Sequence, residues 1–570
     1  MVSRKFQKAI DDGVVKVDEM MKMSSPEREE LFKKILGKEY AVEANRKFVS
    51  KFNTNLTKEQ LAMVLSRSAG VNKQRLAYET FGVGGTNPIR TMEDYHKLAE
   101  PPEWALKYDD LTQDISDIIN PRNTMGFWKS AGHYAQEQGS KIAAAKGPLH
   151  TIGRTGSVLY DVATDAALKP LKAAWDVSYI FRQGFKIGAT DFNAYKIANK
   201  DAWKSVVKSL SSKEEADKVM RAFRARTLVH PYYKELVVEG KLAVNVAEET
   251  FPRSTGEKVT GLGRVYLGTN NAFTTFSQSA RLEIAGSEYE KLLITARKSA
   301  ISTAEIDLKR TLSSAEKTAL EASTKVDKQV TKDIAFVVNS ITGRGSLGKA
   351  EAMSSALNRW FFAPRYIRSS IDTFVMPFNY NLSGPAKELA FKSSRNTLGS
   401  IGVLLGAAAA FGTDVELDPF SNNFGTVKLP GMDKRVDLTA GHGQYVRVFA
   451  QLVWGKRTDS KGRTIEFGDS KTFKPDTRVG NTAKFFMNKA APAPSMINQL
   501  FSEKQFYGGQ KVSFATQQKS IDTIVRTTRE LFAPIGPNNL PEYLQDEGFV
   551  NALMLFTVES LGANVKESKY

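Results

Sequence analysis

TGRGSLG, residues 342–348, holds Gly343, Gly345 and Gly348 in the G-x-G-x-x-G spacing. In a nucleotide-binding fold that spacing sets backbone N–H groups against a phosphate at the start of a helix. The competing reading is a turn between two helices, with glycine in the left-handed region as a helix cap. A dinucleotide fingerprint needs a strand before the glycines and an acid at the tip of the next strand about 20 residues on. The preceding DIAFVVNSI is apolar enough for a strand, yet it continues from EASTKVDKQVTK, a charged run that reads as helix. The following NRWFFAPRYIRSSIDTF is helical and aromatic, and its only acid, Asp372, follows no second strand. Thr342–Gly348 is therefore expected to link two helices, with no parallel sheet before it.

Outward from this turn the dominant signal is helical. Thr57 and Gln60 form a capping pair with Gly70 as stop, and Ser25, Pro26 and Gly37 bracket another helix. Ser212 with Glu215, and Ser313 with Glu316, repeat the capping device. Strand signals are few. FGTVKLPGMDKRVDLT, residues 424–439, reads as a hairpin around a Pro-Gly turn, and GRTIEFGD adds a short edge. The fold expected is mostly α, a multi-helix elongated architecture with a small β-hairpin insert near 424–467. Three stretches are expected: helical regions 1–150 and 151–345, and a region 346–570 carrying an apolar helix at 396–413 and the hairpin.

The charge balance is basic, 80 Lys and Arg against 62 Asp and Glu, net +18, which favours an anionic partner. With no cysteine, disulfides, zinc–thiolate sites and thiol catalysis are excluded. The histidines are His96, His133, His150, His230 and His442, and none lies within four residues of another, so no helical metal pair exists. The N-terminal MVSRKFQKAIDDGVV has no apolar core of a signal peptide. No G-x-S-x-G, H-E-x-x-H or Walker motif is present, so no catalytic residue, cofactor or metal is expected. Asp414, Glu416 and Asp418 could hold a cation, but a turn capped by Asp418 before Pro419 accounts for them better.

Two features suit binding. Lys218, Arg221, Arg224 and Arg226 lie along one helix, and Arg365 and Arg368 accompany the aromatics Trp360–Phe362 and Tyr366. Basic residues interleaved with aromatics suit phosphate contact and stacking, without base-specific reading. NTLGSIGVLLGAAAAFGT, residues 396–413, is uncharged throughout. As a helix it would span about 27 Å at ~1.5 Å per residue, close to a ~30 Å hydrocarbon core. Gly402 and Gly406 form G-x-x-x-G, Ala410 extends the small face, and Leu404 and Leu405 supply the apolar one. That pattern fits helix pairing in a membrane, or burial in a soluble core. In water the segment is expected to pack against other helices, such as Val550–Leu561 or the Trp360–Phe362 face.

ITGRGSLGKAEAMSSALNRWFFAPRYIRSSIDTF resembles a segment of the large polyvalent proteins of tailed bacteriophages. There a Gly-Arg-Gly turn leads into a helix ending in aromatic-aromatic-small-Pro-Arg, here Phe361, Phe362, Ala363, Pro364 and Arg365. The resemblance runs through WDVSYIFRQGF, KVMRAFRARTLVHPYYKE, GRVYLGTNNAFTTFSQSARLEIAGSEYEKLL, DVELDPFSNNFGTVKLPGMDKRVDLTAGHGQYVRVFAQLVWGKR and NKAAPAPSMINQLFSEKQFYGG, covering roughly 170–515. It implies the helical region of virion proteins that are packaged in the capsid or portal and tail. Such proteins pass to the host envelope or cytoplasm with the DNA. Giant relatives join this region to enzymatic domains, none of which is visible here. The expected function is that of an internal virion protein in genome ejection, forming or lining a DNA conduit. The expected partners are further copies of the chain, portal, tail or other ejection proteins, double-stranded DNA without sequence preference, and a host membrane. The alternatives are a polyvalent-type protein that binds and protects DNA inside the cell, and a nucleotide-binding enzyme.

Overall fold

The computed structural model describes residues 179–244, 263–353 and 363–429, most of 434–489, and shorter stretches within 27–34, 89–109 and 551–567. The caps expected around Thr57–Gly70, Ser25 and Gly37, the aromatic run 360–362 and residues 490–515 lie outside the described residues. The helices are α1 Met92–Lys97, α2 Gly184–Thr190, α3 Phe192–Ser211, α4 Lys213–Leu228, α5 Gly263–Leu308, α6 Ser314–Ser323, α7 Lys328–Ile341, α8 Pro364–Val375, α9 Gly384–Ala410, α10 Gly443–Trp454 and α11 Arg478–Met487. The chain is mostly α, as its patterning predicts.

The central element is α5. Its 46 residues extend about 69 Å at ~1.5 Å each. Residues 267–286 are almost all buried, around the whole circumference. Many of them are small or polar, including Asn271, Thr275, Ser277, Gln278 and Ser279. Small side chains let a second helix come close, and α3 does so with Ala194, Ala198, Ala202, Ser205 and Ser209, spaced three or four apart on its buried face. Asn271 donates to Ser209 Oγ at 3.1 Å, and Ser279 donates to Asp201 at 2.8 Å. Eight residues separate the two contacts on each helix, in opposite directions, so the pair is antiparallel. One core cluster then gathers side chains from Ile89 to Ala390, drawing on all three stretches of the chain.

Halfway along α5 sits Arg281, 2% exposed. It donates to Thr342 Oγ1 at 2.8 Å and to the Ala243 carbonyl at 2.6 Å. A buried guanidinium must find acceptors, and here they are the end of α7 and the segment after α4. Thr342 opens the glycine turn. The Gly343 N–H donates to the Ser340 carbonyl and that of Arg344 to the Asn339 carbonyl, with Gly343 at φ +90°. That pair of bonds is the Schellman helix stop. Gly345 donates to the Arg365 carbonyl at 3.1 Å, and a Cβ there would lie 2.5 Å from the Ser369 nitrogen. Gly348, at φ +56°, starts a single 3-10 stretch, Gly348–Met353. Each glycine thus has a structural reason, and the turn links two helical elements.

Among the described residues the strands are short, and all of their ladders are antiparallel. β1 (Thr426–Lys428) and β2 (Lys434–Asp437) form the expected hairpin, with Val427 opposite Val436. An unexpected third strand, β5 (Val565–Glu567), pairs with β2. Residues Thr464–Glu466 do not edge this sheet. They form β4 of a separate hairpin with β3 (Lys456–Thr458), because Gly455, at φ +67°, ends α10 and turns the chain directly into β3.

Gly345→Val should push the turn off α8, destabilising the fold by about 2 kcal/mol through overpacking. Gly348→Ala, with open space around it, should cost only about 1 kcal/mol for its backbone conformation. Chemical denaturation followed by circular dichroism separates the two.

Candidate functional site

The basic positions expected to face DNA are largely engaged by the protein itself. Arg224 makes a two-pronged contact with Asp109, at 2.7 and 2.8 Å, and Asp109 is 2% exposed. Arg226 is half-buried with its guanidinium over the Tyr95 ring at 4.9 Å. Arg221 is half-buried. Arg365 bonds Glu351, and Arg368 bonds the buried Asp372 at 2.7 Å. Lys218 is exposed, in an ion pair with Glu215. Arg224 and Arg226 therefore hold neighbouring elements, which leaves less of the α4 face free than their spacing suggests. Elsewhere Lys186 is buried outright and Lys489 is half-buried. Lys186 donates to the Ser340 and Ser369 carbonyls, and burial pushes its pKa down to about 8. Lys489 lies against the Tyr445 and Phe485 rings, and burial beside Arg182 and Arg447 lowers it to about 7.

The acidic trio is a turn. Asp418 Oδ1 accepts from the Phe420 N–H, Glu416 accepts from the Asp418 N–H, and Asp414 pairs with Arg435 at 2.9 Å. No group of three His, Asp or Glu among the described residues could hold a metal ion.

The apolar segment differs from both readings. Its helix, α9, ends at Ala410 and begins at Gly384, so its first half carries Lys387, Glu388, Lys392 and Arg395. Among the described residues no helix is long and apolar enough to cross a membrane. Burial is also incomplete. Ile401 and Leu405 face the body, while Gly402, Val403, Leu404, Gly406 and Ala410 are exposed, Val403 at 71%. Among the described residues, a Cβ on Gly399, Gly402 or Gly406 would meet nothing within 4 Å. Of the expected partners, Ala552 and Leu555 pack on Val436 of the sheet, and residues 360–362 lie outside the described residues. Beside it an open groove, lined by Phe185, Ala189, Gly399 and Leu404, lies between α2 and α9.

Sequence reading from the α4 arginines does not single out the lysines of α3. Lys196, Lys200, Lys204 and Lys208 stand four apart and are all exposed. Their spacing is legible without coordinates; that the opposite face is buried is not.

Two histidines respond oppositely to pH. His96 Nε2 lies 2.7 Å from the buried Glu283 and holds α1 on α5. The bond to Glu283 raises its pKa above the ordinary 6.5. His230 is buried against Tyr95 and Tyr232, and desolvation lowers it to about 3. His442, buried at the start of α10, is likewise lowered to about 3 by burial, with Lys186 adding to the effect.

No protein-family model matches this sequence, and neither a curated protein nor a solved structure matches it.

Arg224→Gln deprives Asp109 of its two guanidinium bonds and should destabilise the fold by about 3 kcal/mol. DNA affinity, compared by gel shift at temperatures where the variant is folded, should change less than twofold. The pH effects separate by location. His96 stabilises α1 docking fully below pH 6.5, and that contribution is lost as pH rises through its raised folded value. His230 and His442 stabilise fully above 6.5 and lose their contribution as pH falls toward about 3. Global unfolding should therefore come at lower denaturant in mild acid, while amide exchange at residues 92–97 slows relative to the rest. His96→Gln should abolish only the second effect.

Proposed function

We propose that this chain is an internal virion protein of a tailed bacteriophage that is packaged with the genome and takes part in its ejection. Its action is physical: copies associate through helix faces, and their excess positive charge accompanies DNA into the host. The observation that carries this reading is the free end of α9. Three glycines and several alanines stand on an exposed helix face where nothing among the described residues is near enough to touch a methyl group added at the glycines. Such a face permits close approach by a helix of a neighbouring copy, in water or in lipid. The resemblance over roughly 170–515 supports the virion setting, and the net charge of +18 supports an anionic cargo.

A second reading is an intracellular protein that coats incoming DNA. It is favoured by the length of α9, whose uncharged part runs from residue 396 to 410 and covers about 22 Å at ~1.5 Å per residue. Such a protein needs no spanning segment.

Mass spectrometry should find the chain in purified virions as well as in infected lysate; confinement to the lysate selects the second reading. Gly402→Ile should leave the unfolding midpoint unchanged or slightly raised, since open space surrounds the site and glycine is a poor helix residue. The same variant should weaken self-association at least tenfold in sedimentation velocity. A wild type that stays monomeric at all concentrations rejects the association face.

A further inference from the structure

The outer face of α3 combines features that its packing role does not require. The helix is 20 residues long and its buried side is the alanine and serine seam against α5. At 100° per residue, Phe192, Leu210, Trp203 and Val207 fall within one 60° arc on the opposite side. They are 62%, 45%, 47% and 63% exposed. Lys196 falls within this arc, and Lys200, Lys204 and Lys208 continue it along one flank. Asp201 is the one acid within the helix, and it is turned inward onto Ser279. Lys208 reaches Glu215 of α4 at 2.8 Å, and Lys196 lies over the Phe192 ring at 5.6 Å. Lys200 and Lys204 make no ion pair among the described residues.

We propose that this face is a docking surface for an anionic lipid bilayer, on which α3 lies in the plane of the headgroups. The charge pattern asks for an anionic occupant. The apolar arc decides which one. Val207 and Leu210 have no use for a phosphate backbone or a base edge, but they gain by entering the acyl boundary. Trp203 and Phe192 suit the headgroup level, where an aromatic body is apolar on one side and wet on the other. The lysine stems run along the arc and carry their ammonium groups to lipid phosphates. A second copy fits poorly, because two-fold pairing of this face would set four lysines against four. The surface needs no helix to cross the bilayer, and among the described residues none is both long and apolar enough to do so. The inference does not rest on the virion reading.

The test uses the full chain and vesicles of phosphatidylcholine alone or mixed with phosphatidylglycerol. Flotation should occur only with the anionic vesicles and fall as salt rises. Tryptophan emission should shift to the blue on binding, and Trp203→Phe should remove most of the shift. Lys200→Gln combined with Lys204→Gln should lower partitioning about thirtyfold, at roughly fivefold per lysine near an anionic surface. Val207→Asp should lower it independently, with the far-ultraviolet dichroism of each variant unchanged. Absence of binding to anionic vesicles overturns the proposal, as does binding that neither variant affects. It is also overturned if duplex or single-stranded DNA, and not vesicles, binds in a manner dependent on Lys200 and Lys204.

Discussion

The buried guanidinium of Arg281 constrains everything around it. A charge in the middle of a fully enclosed helix is tolerable only if its donors meet acceptors, and backbone carbonyls are the acceptors most easily brought there. Arg281 therefore requires α7 to end where Thr342 can face it, and the chain after α4 to pass at Ala243. Once α7 ends there, the glycines must turn it, and the turn must press against α8 closely enough to exclude a side chain at Gly345. Ser340 and Asp372 then meet at 2.8 Å, and the Lys186 ammonium reaches the carbonyls of both Ser340 and Ser369. The motif that looks like a phosphate cradle is a consequence of packing around one arginine.

The same economy governs much of the positive charge. A net charge of +18 suggests a surface crowded with free cations, yet Arg224, Arg281, Arg435, Lys186 and Lys489 are wholly or largely buried in helix junctions or the sheet. Arginine suits this because its planar fork meets two acceptors at once, as Arg224 does with Asp109 and Arg435 with Asp414. Among the described residues, the α3 lysines are a group left exposed to an external partner.

Legibility in the sequence followed the range of the interaction. Local devices could be read: Ser313 and Glu316 form the reciprocal capping box, Ser212 caps α4, and the hairpin pairs Val427 with Val436. Glu215 departs from its expected box because two lysines, Lys208 and Lys218, compete for its carboxylate. The length of α5 was hidden, since a helix enclosed on every side by small and polar residues has no apolar stripe. The partners of Arg224 and of β2 were hidden too, for they lie 115 residues away and at 565–567. The exposed end of α9 shows that glycine spacing indicates where helices can approach, without saying whether anything does.

Contacts that close the core join segments far apart in the chain. Thr190 bonds Ser393 across 203 residues, and Asn396 reaches the Ala189 carbonyl across 207. During synthesis α2 must therefore wait for α9, an interval of about 10–40 s at roughly 5–20 residues per second. Throughout that interval the face of α2 that meets α9 remains accessible to chaperones and to neighbouring nascent chains, and the inner face of α3 is open for the shorter wait until α5 emerges. The seam of alanine and serine moderates this exposure, because small side chains present little apolar area while they wait. Leucine or phenylalanine at the same positions would force α3 away from α5 in the finished protein and would aggregate more readily on the ribosome.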